Sequence, residues 1–430
     1  MGYTIAEKIL GRASRAGEPV RAGAEVEVKP DYVLGYDFPG YLDLIFRQMR
    51  EEFGIERVAE PERYALFIDH MVPANTPEEE ELHIVTRTWC ADNGVRLHER
   101  EGIGHQVAAE AGYAVPGGFV VHFDGHIAQL GAFGTLAIGI HTQLLEAFVR
   151  ERIDFTVPET TRVNLTGRLS PGVMARDVFH HLVRVLGPRS CRFQVLELGG
   201  PALGDISLEG RQTITGLAMF TGALTAICNP DELALDYARA RVARPFEPQA
   251  SDADATFAAL HEVDLTDLAP IVVVPPNPAA TADLTDHAGL PVQAGYLGSC
   301  ASGRLEDLRA AAAVLTGRRV APGFQLHIVP TSQAIMAEAA REGLLTTLIE
   351  AGAFVTSSSC DYCYGRIATM SAGQRAVSTG TLNVKGRMGS PESEIYLCNA
   401  AAVAASAVEG RIADPRPYLA EVPQAPEAGA

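Results

Sequence analysis

Three of the chain's cysteines fall in two short stretches, GSCASGRLEDL (298–308) and SSSCDYCYGR (357–366). Cys300 follows a strand-like run and precedes a helical one. The carboxyl end of a parallel strand is where α/β sheets place their ligands, and a following helix N-terminus favours an anion such as a thiolate. Cys360 and Cys363 have CxxC spacing in a Ser- and Gly-rich turn after the strand-like AFVT. Four chemistries compete for such thiols. Structural zinc needs a fourth ligand, which Cys398 or His327 would have to supply. A dithiol redox pair explains Cys360 and Cys363 but leaves Cys300 idle. An iron–sulfur cluster on three thiolates would keep one iron open as a Lewis acid. Plain burial also suits free cysteine. Spacing alone leaves all four open.

Histidines beside carboxylates form a second set: Asp69 and His70 in FIDHMVP, His105 at the start of HQV, and Asp124 and His126 after FVVHFD. A carboxylate next to an imidazole fixes its tautomer and raises its pKa, which suits it to protonate a departing hydroxyl. Taken singly, each of these histidines is better explained as a hydrogen-bonded group at a sheet edge.

Bulk properties narrow the setting. The 430 residues suffice for two or three domains, and 47% hydrophobic with 20% charged content is that of a globular enzyme. A net charge of −18 with no Lys/Arg run disfavours nucleic acid. There is no apolar run long enough for a membrane span, and the N-terminal stretch lacks a signal-peptide core. Seven scattered cysteines fit a reducing, cytoplasmic setting better than a disulfide framework.

The elements that must position these groups alternate between strands and helices. Helices are predicted over 38–54, 77–94 and 134–151, and strands over 64–69, 117–124, 161–167, 191–198 and 269–276. Alternation of this kind predicts an α/β fold with mostly parallel sheets flanked by helices. The Pro-, Ala- and Asp-rich stretch 244–291 reads as a connection, and a βαβα unit follows it. The predicted organisation is an N-terminal α/β region over 1–284, a C-terminal α/β domain over 285–415 carrying the CxxC, and a flexible tail over 416–430.

The letters around these residues carry a resemblance. GSCASGRLEDLRAAA is similar to the GSCTNxRxEDLRxAA segment of 3-isopropylmalate dehydratase large subunits in the aconitase superfamily, and SSSCDYCYGR to their PGCxxCLG segment. GIGHQVAAE (102–110), FDGHIAQLGAFGTLAIG (123–139), LEGRQTITGLAMFTGA (208–223) and STGTLNVKGRMG (378–389) match further segments in the family's order. The resemblance implies a [4Fe-4S] cluster on Cys300, Cys360 and Cys363, with His70, His105, Asp124 and His126 around it. It implies that a His70/Asp69 or His105/Asp124 pair delivers a proton, and that Arg387 and Asp37 contact substrate. The implied activity is that of a hydro-lyase or isomerase on a small hydroxy-carboxylate, lacking a swivel domain and so completed by a separate small swivel subunit.

Several letters depart from the family. Gly125 and Ile127 flank His126 where Ser and Thr are usual; Gly216 and Phe220 replace an Asn and a Glu. Leu382 stands for an Arg, Ala301-Ser302 for Thr-Asn, and Tyr36 for the His or Gln before Asp37. A buried carboxylate without a partner is costly, so these changes imply a substrate other than 3-isopropylmalate. Other chemistry at an open-iron cluster and a non-catalytic iron sensor are the alternatives.

Overall fold

The computed structural model describes residues 2–419. By its internal contacts the chain divides into two compact units. The first comprises residues up to Arg168, Leu182–Leu265 and the short insert Ser358–Asp361; the second comprises Leu169–His181, Thr266–Ser357 and the chain from Tyr362.

The first unit is built on a five-stranded sheet in the order Arg96–Glu99, Tyr64–Ile68, Tyr32–Tyr36, Phe119–His122, Leu136–Gly139. All its pairings are parallel. Tyr64–Ile68 is buried along its whole length, as a strand covered on both faces must be, which is why YALFI shows no alternation. Chain order reverses between Tyr32–Tyr36 and Phe119–His122. That junction is the topological switch point where such sheets open a crevice at their carboxyl ends. A four-stranded parallel sheet and a two-stranded antiparallel ribbon complete this unit among the described residues.

The second unit holds a seven-stranded sheet. Its parallel part runs Glu394–Leu397, Arg375–Ser378, Ala294–Leu297, Gln325–Ile328, Phe354–Val355, and Ile271–Val273 and Thr281–Asp283 add antiparallel strands at one side. Here the order reverses between Ala294–Leu297 and Arg375–Ser378. The alanine-rich helix Ala400–Glu409, capped by Asn399, is buried almost throughout and packs on this core.

The α/β architecture with mostly parallel sheets is the one expected. Two elements differ. The run 134–151 is not one helix: Leu136–Gly139 is a strand, and the helix is confined to Leu144–Arg150. An uninterrupted apolar run such as LAIGI reads equally well as buried strand or helix, and the left-handed Gly134 and His141 break it on either side. Within the βαβα unit, the helix-like stretch SQAIMAEAAREGLLTTLIEAG forms two helices, Gln333–Arg341 and Leu344–Ala351, divided at Gly343, whose φ is 75°. The stretch 244–291 carries three short strands. Of the expected tail, Arg416–Leu419 is helical and 420–430 lie outside the described residues. No described helix is long and apolar enough to cross a membrane.

Candidate active site

In the first unit, the histidine and aspartate side chains gather at the carboxyl ends around the switch point. Asp69 and His70 follow Tyr64–Ile68, and the Asp69 Oδ1 lies 2.7 Å from His70 Nδ1. The other Asp69 oxygen accepts the Gly104 N–H at 2.7 Å. Glycine is required at 104, because a Cβ there would stand 2.8 Å from the Phe67 side chain and 3.2 Å from Asp69 Oδ2. Burial would push the Asp69 carboxyl up, but the His70 charge, its hydrogen bond, the Gly104 amide and His105 hold it below its usual value. Burial would equally lower His70. The facing Asp69, with Asp37 and Asp361, instead raises it to about 9.

Asp124 organises the second pair. Its Oδ1 accepts the His126 amide at 2.6 Å and meets His126 Nδ1 at 2.8 Å, with His105 Nε2 at 3.6 Å. Burial opposes ionisation here too, yet His126 and His105 hold this carboxyl well below the usual range. With Nδ1 directed at a carboxylate, Nε2 is the nitrogen by which His70 or His126 would exchange a proton.

Asp37 is fully buried, its Oδ1 accepting the Asp69 amide at 3.0 Å and its Oδ2 lying 2.9 Å from His83 Nε2. Burial raises its pKa to about 6 against the lowering pull of His83. One donor atom each from Asp37, Asp69 and His70 lies within 4.8 Å of the others, but His83 and the Asp69–His70 pairing already use this cluster.

Tyr36 occupies the centre. Its ring is 4.8 Å from His70, 5.0 Å from His122 and 6.1 Å from His105, and its hydroxyl donates to Asp124 Oδ2 at 3.5 Å. Burial and the Asp124 charge keep the phenol protonated. His122 Nδ1 accepts the Asp124 amide at 2.8 Å. Burial, then the neighbouring His105, pushes His122 down to about 3, so it is neutral. The wall near His126 is apolar: the Phe220 ring is 6.4 Å away, and Met219 lies against Gly125.

The sequence reading did not single out His83, His122 or Asp361. His83 sits in Pro77–Asn93 between Leu82 and Ile84, and His122 ends an apolar strand; each carried only the weak signal of one histidine in a buried run.

Cys360 also belongs to the first unit, where its amide donates to the Asp69 carbonyl at 2.9 Å. In the second unit, Cys300 is buried just past Ala294–Leu297, at that sheet's switch point. Its turn is pinned from three sides. The Gly298 amide donates to Thr379 Oγ1 at 2.8 Å, the Ser299 hydroxyl donates to the Thr379 carbonyl at 3.1 Å, and the fully buried Arg304 donates to the Cys300 carbonyl at 2.8 Å. Arg176, also buried, donates to the Thr379 carbonyl. Cys363 lies on the single turn Asp361–Tyr364, with Arg387 Nη2 donating to its Sγ at 3.2 Å and Thr381 Oγ1 at 3.6 Å. None of the cysteines is in a disulfide.

Comparison with known proteins adds an independent line. The Aconitase family (aconitate hydratase) matches residues 46–289 and 285–410. The chain is 37% identical over 423 residues to the 3-isopropylmalate dehydratase large subunit 1 of Methanopyrus kandleri, covering 97% of this chain and 100% of that one. It is 35% identical over 425 residues to the 3-isopropylmalate dehydratase large subunit of Aquifex aeolicus, covering 96% and 97%. A weaker likeness, with a TM-score of 0.48 and 11% identity, relates it to the crystal structure of Thermococcus kodakaraensis aconitase X in its holo-form, over 83% of this chain and 84% of that one. With a family match across most of its length and relatives above 30% identity along nearly all of it, the chain belongs to the aconitase family.

Proposed function

We propose that this chain is the large subunit of an iron–sulfur hydro-lyase acting on a small hydroxy-carboxylate other than 3-isopropylmalate. The observation that carries the reading is the pair of short carboxylate–imidazole contacts at one switch point, Asp69–His70 at 2.7 Å and Asp124–His126 at 2.8 Å.

The thiols fit a cluster. Cys300, Cys360 and Cys363 are unbridged, each sits in a turn held by backbone hydrogen bonds or a facing guanidinium, and thiolate is the ligand such clusters take. When bound, a [4Fe-4S] cluster on these three residues supplies an open iron able to polarise a hydroxyl. The chain's own groups do the rest. His70, kept cationic by Asp69, is the proton donor to a departing hydroxyl, from Nε2. Asp124 holds His126 and His105 in orientation, and neutral His122 fixes the Asp124 backbone. Tyr36 and Phe38 cover His70 and limit its exposure to water.

A substrate distinct from 3-isopropylmalate is supported by Phe220 and Gly125, which stand where the family carries a Glu and a Ser. A separate small subunit is supported by the relatives, which are named large subunits. The test is an anaerobic assay of the loaded chain, with a candidate small subunit added, against a panel of hydroxy acids, following the absorbance of the conjugated alkenoate. Turnover on one member, lost in His70→Asn, is expected. Full turnover in His70→Asn would contradict the assignment of the acid.

A further inference from the structure

Asp361 stands between the two cysteines of CDYC and has no exposed surface. Its Oδ1 accepts the Met71 N–H at 2.7 Å and its Oδ2 accepts the Val72 N–H at 3.0 Å. One residue earlier, the Cys360 N–H donates to the Asp69 carbonyl at 2.9 Å. A single buried carboxylate and a single amide thus tie the turn that follows His70 to a segment 290 residues further along the chain. Met71 has a φ of 55°, a left-handed conformation that a non-glycine residue holds only when its surroundings impose it. The two amides accepted by Asp361 supply that constraint.

We propose that Asp361 is a positioning residue, a clamp that sets Cys360 against the Asp69–His70 turn. The inference rests on the reading of Cys360 as a cluster ligand and of His70 as the acid. Each carboxylate oxygen accepts a backbone amide of the Met71–Val72 turn, which is the geometry of a positioning group. Charge-assisted acceptance of two N–H groups is about twice as strong as the neutral kind, and removing the carboxylate would leave two amides to find new partners. Both the Met71 turn and the Cys360 backbone would then open more often. The family resemblance reaches Cys360 and Cys363 but says nothing of the two residues between them.

The test uses the full-length chain and two variants, Asp361→Asn, which keeps one acceptor oxygen, and Asp361→Ala, which keeps none. In the reduced, iron-free proteins, alkylation of Cys360 by iodoacetamide is followed by mass spectrometry, with buried Cys90 as the folding control. In anaerobically reconstituted proteins, iron retained through gel filtration and the visible circular dichroism of the bound cluster are recorded. Alkylation of Cys360 is expected to rise on the order of tenfold in Asp361→Ala and by an intermediate factor in Asp361→Asn, with Cys90 still unlabelled. Iron retention should fall in the same order, with a changed dichroism signature. Unchanged Cys360 alkylation and unchanged iron retention in both variants would overturn the clamp. If Asp361→Ala fails to fold, Asp361→Asn decides by the same readouts. A wild-type chain that takes up no iron would count against the ligand assignment, while the alkylation series would still decide the clamp.

Discussion

His83 lies with its Nε2 2.9 Å from Asp37 Oδ2, and both side chains are buried. That contact ties the helix Pro77–Asn93 to the floor of the histidine cluster, because Asp37 in turn receives the Asp69 amide. His83→Ala leaves a buried carboxylate oxygen with one partner fewer and is expected to destabilise the chain by about 1–3 kcal/mol. His83→Gln, which retains a donor nitrogen, should cost less. Thermal unfolding of the two variants checks the order.

His122 gives a pH dependence with a defined sign. Its folded pKa is depressed to about 3 from 6.5, by burial first and by His105 second. On acidification the unfolded chain takes up a proton that the folded chain refuses, so this residue's contribution is intact above the unfolded pKa and is lost as pH falls below it. By about pH 5 the loss reaches about 2 kcal/mol. His122→Asn keeps an acceptor for the Asp124 amide and removes the titration. The drop in urea stability between about pH 7 and about pH 5 should therefore be smaller in His122→Asn by roughly that amount. An equal drop in both proteins would refute a neutral His122.

Gly104 tests the approach of the HQV helix to Asp69. Gly104→Ala places a methyl 2.8 Å from Phe67 and close to the accepting carboxylate. The expected cost is about 1–3 kcal/mol, read as a lowered unfolding temperature. A variant as stable as wild type would show that the contact relaxes.

Arg387 donates to Cys363 Sγ at 3.2 Å, and a guanidinium beside a sulfur favours the thiolate. In the iron-free chain, Arg387→Met is expected to slow maleimide addition at Cys363 several-fold, with Arg387→Lys between. A rate that does not fall would separate Arg387 from the thiol and leave it only the carboxylate role implied by the family resemblance.

What the sequence made legible follows the range of each signal. Turn chemistry and strand–helix alternation are local, so the α/β class, the strand before Cys300 and the Asp69–His70 turn could be read directly. Buried runs have no period of their own, and so LAIGI at 136–140 passed for helix. The assignment of Ser358–Asp361 to one unit and of Tyr362 onward to the other depends on hydrogen bonds spanning hundreds of residues, which no local pattern records. His83 and Asp361 were missed because their partners lie on other elements, and His122 because one histidine ending an apolar strand carries little local signal. Tyr36 was noted only as a replaced letter, and its place among the imidazoles of His70, His105 and His122 emerged from the fold.

The central claim is that Cys300, Cys360 and Cys363 hold an iron–sulfur cluster. Its most direct test is the iron and acid-labile sulfide content of the anaerobically reconstituted chain, beside Cys300→Ala, Cys360→Ala and Cys363→Ala. About four irons and about four sulfides per wild-type chain, with a clear loss in each variant, is the expected result. A colourless wild-type chain carrying zinc, or undiminished iron in all of the variants, would contradict it.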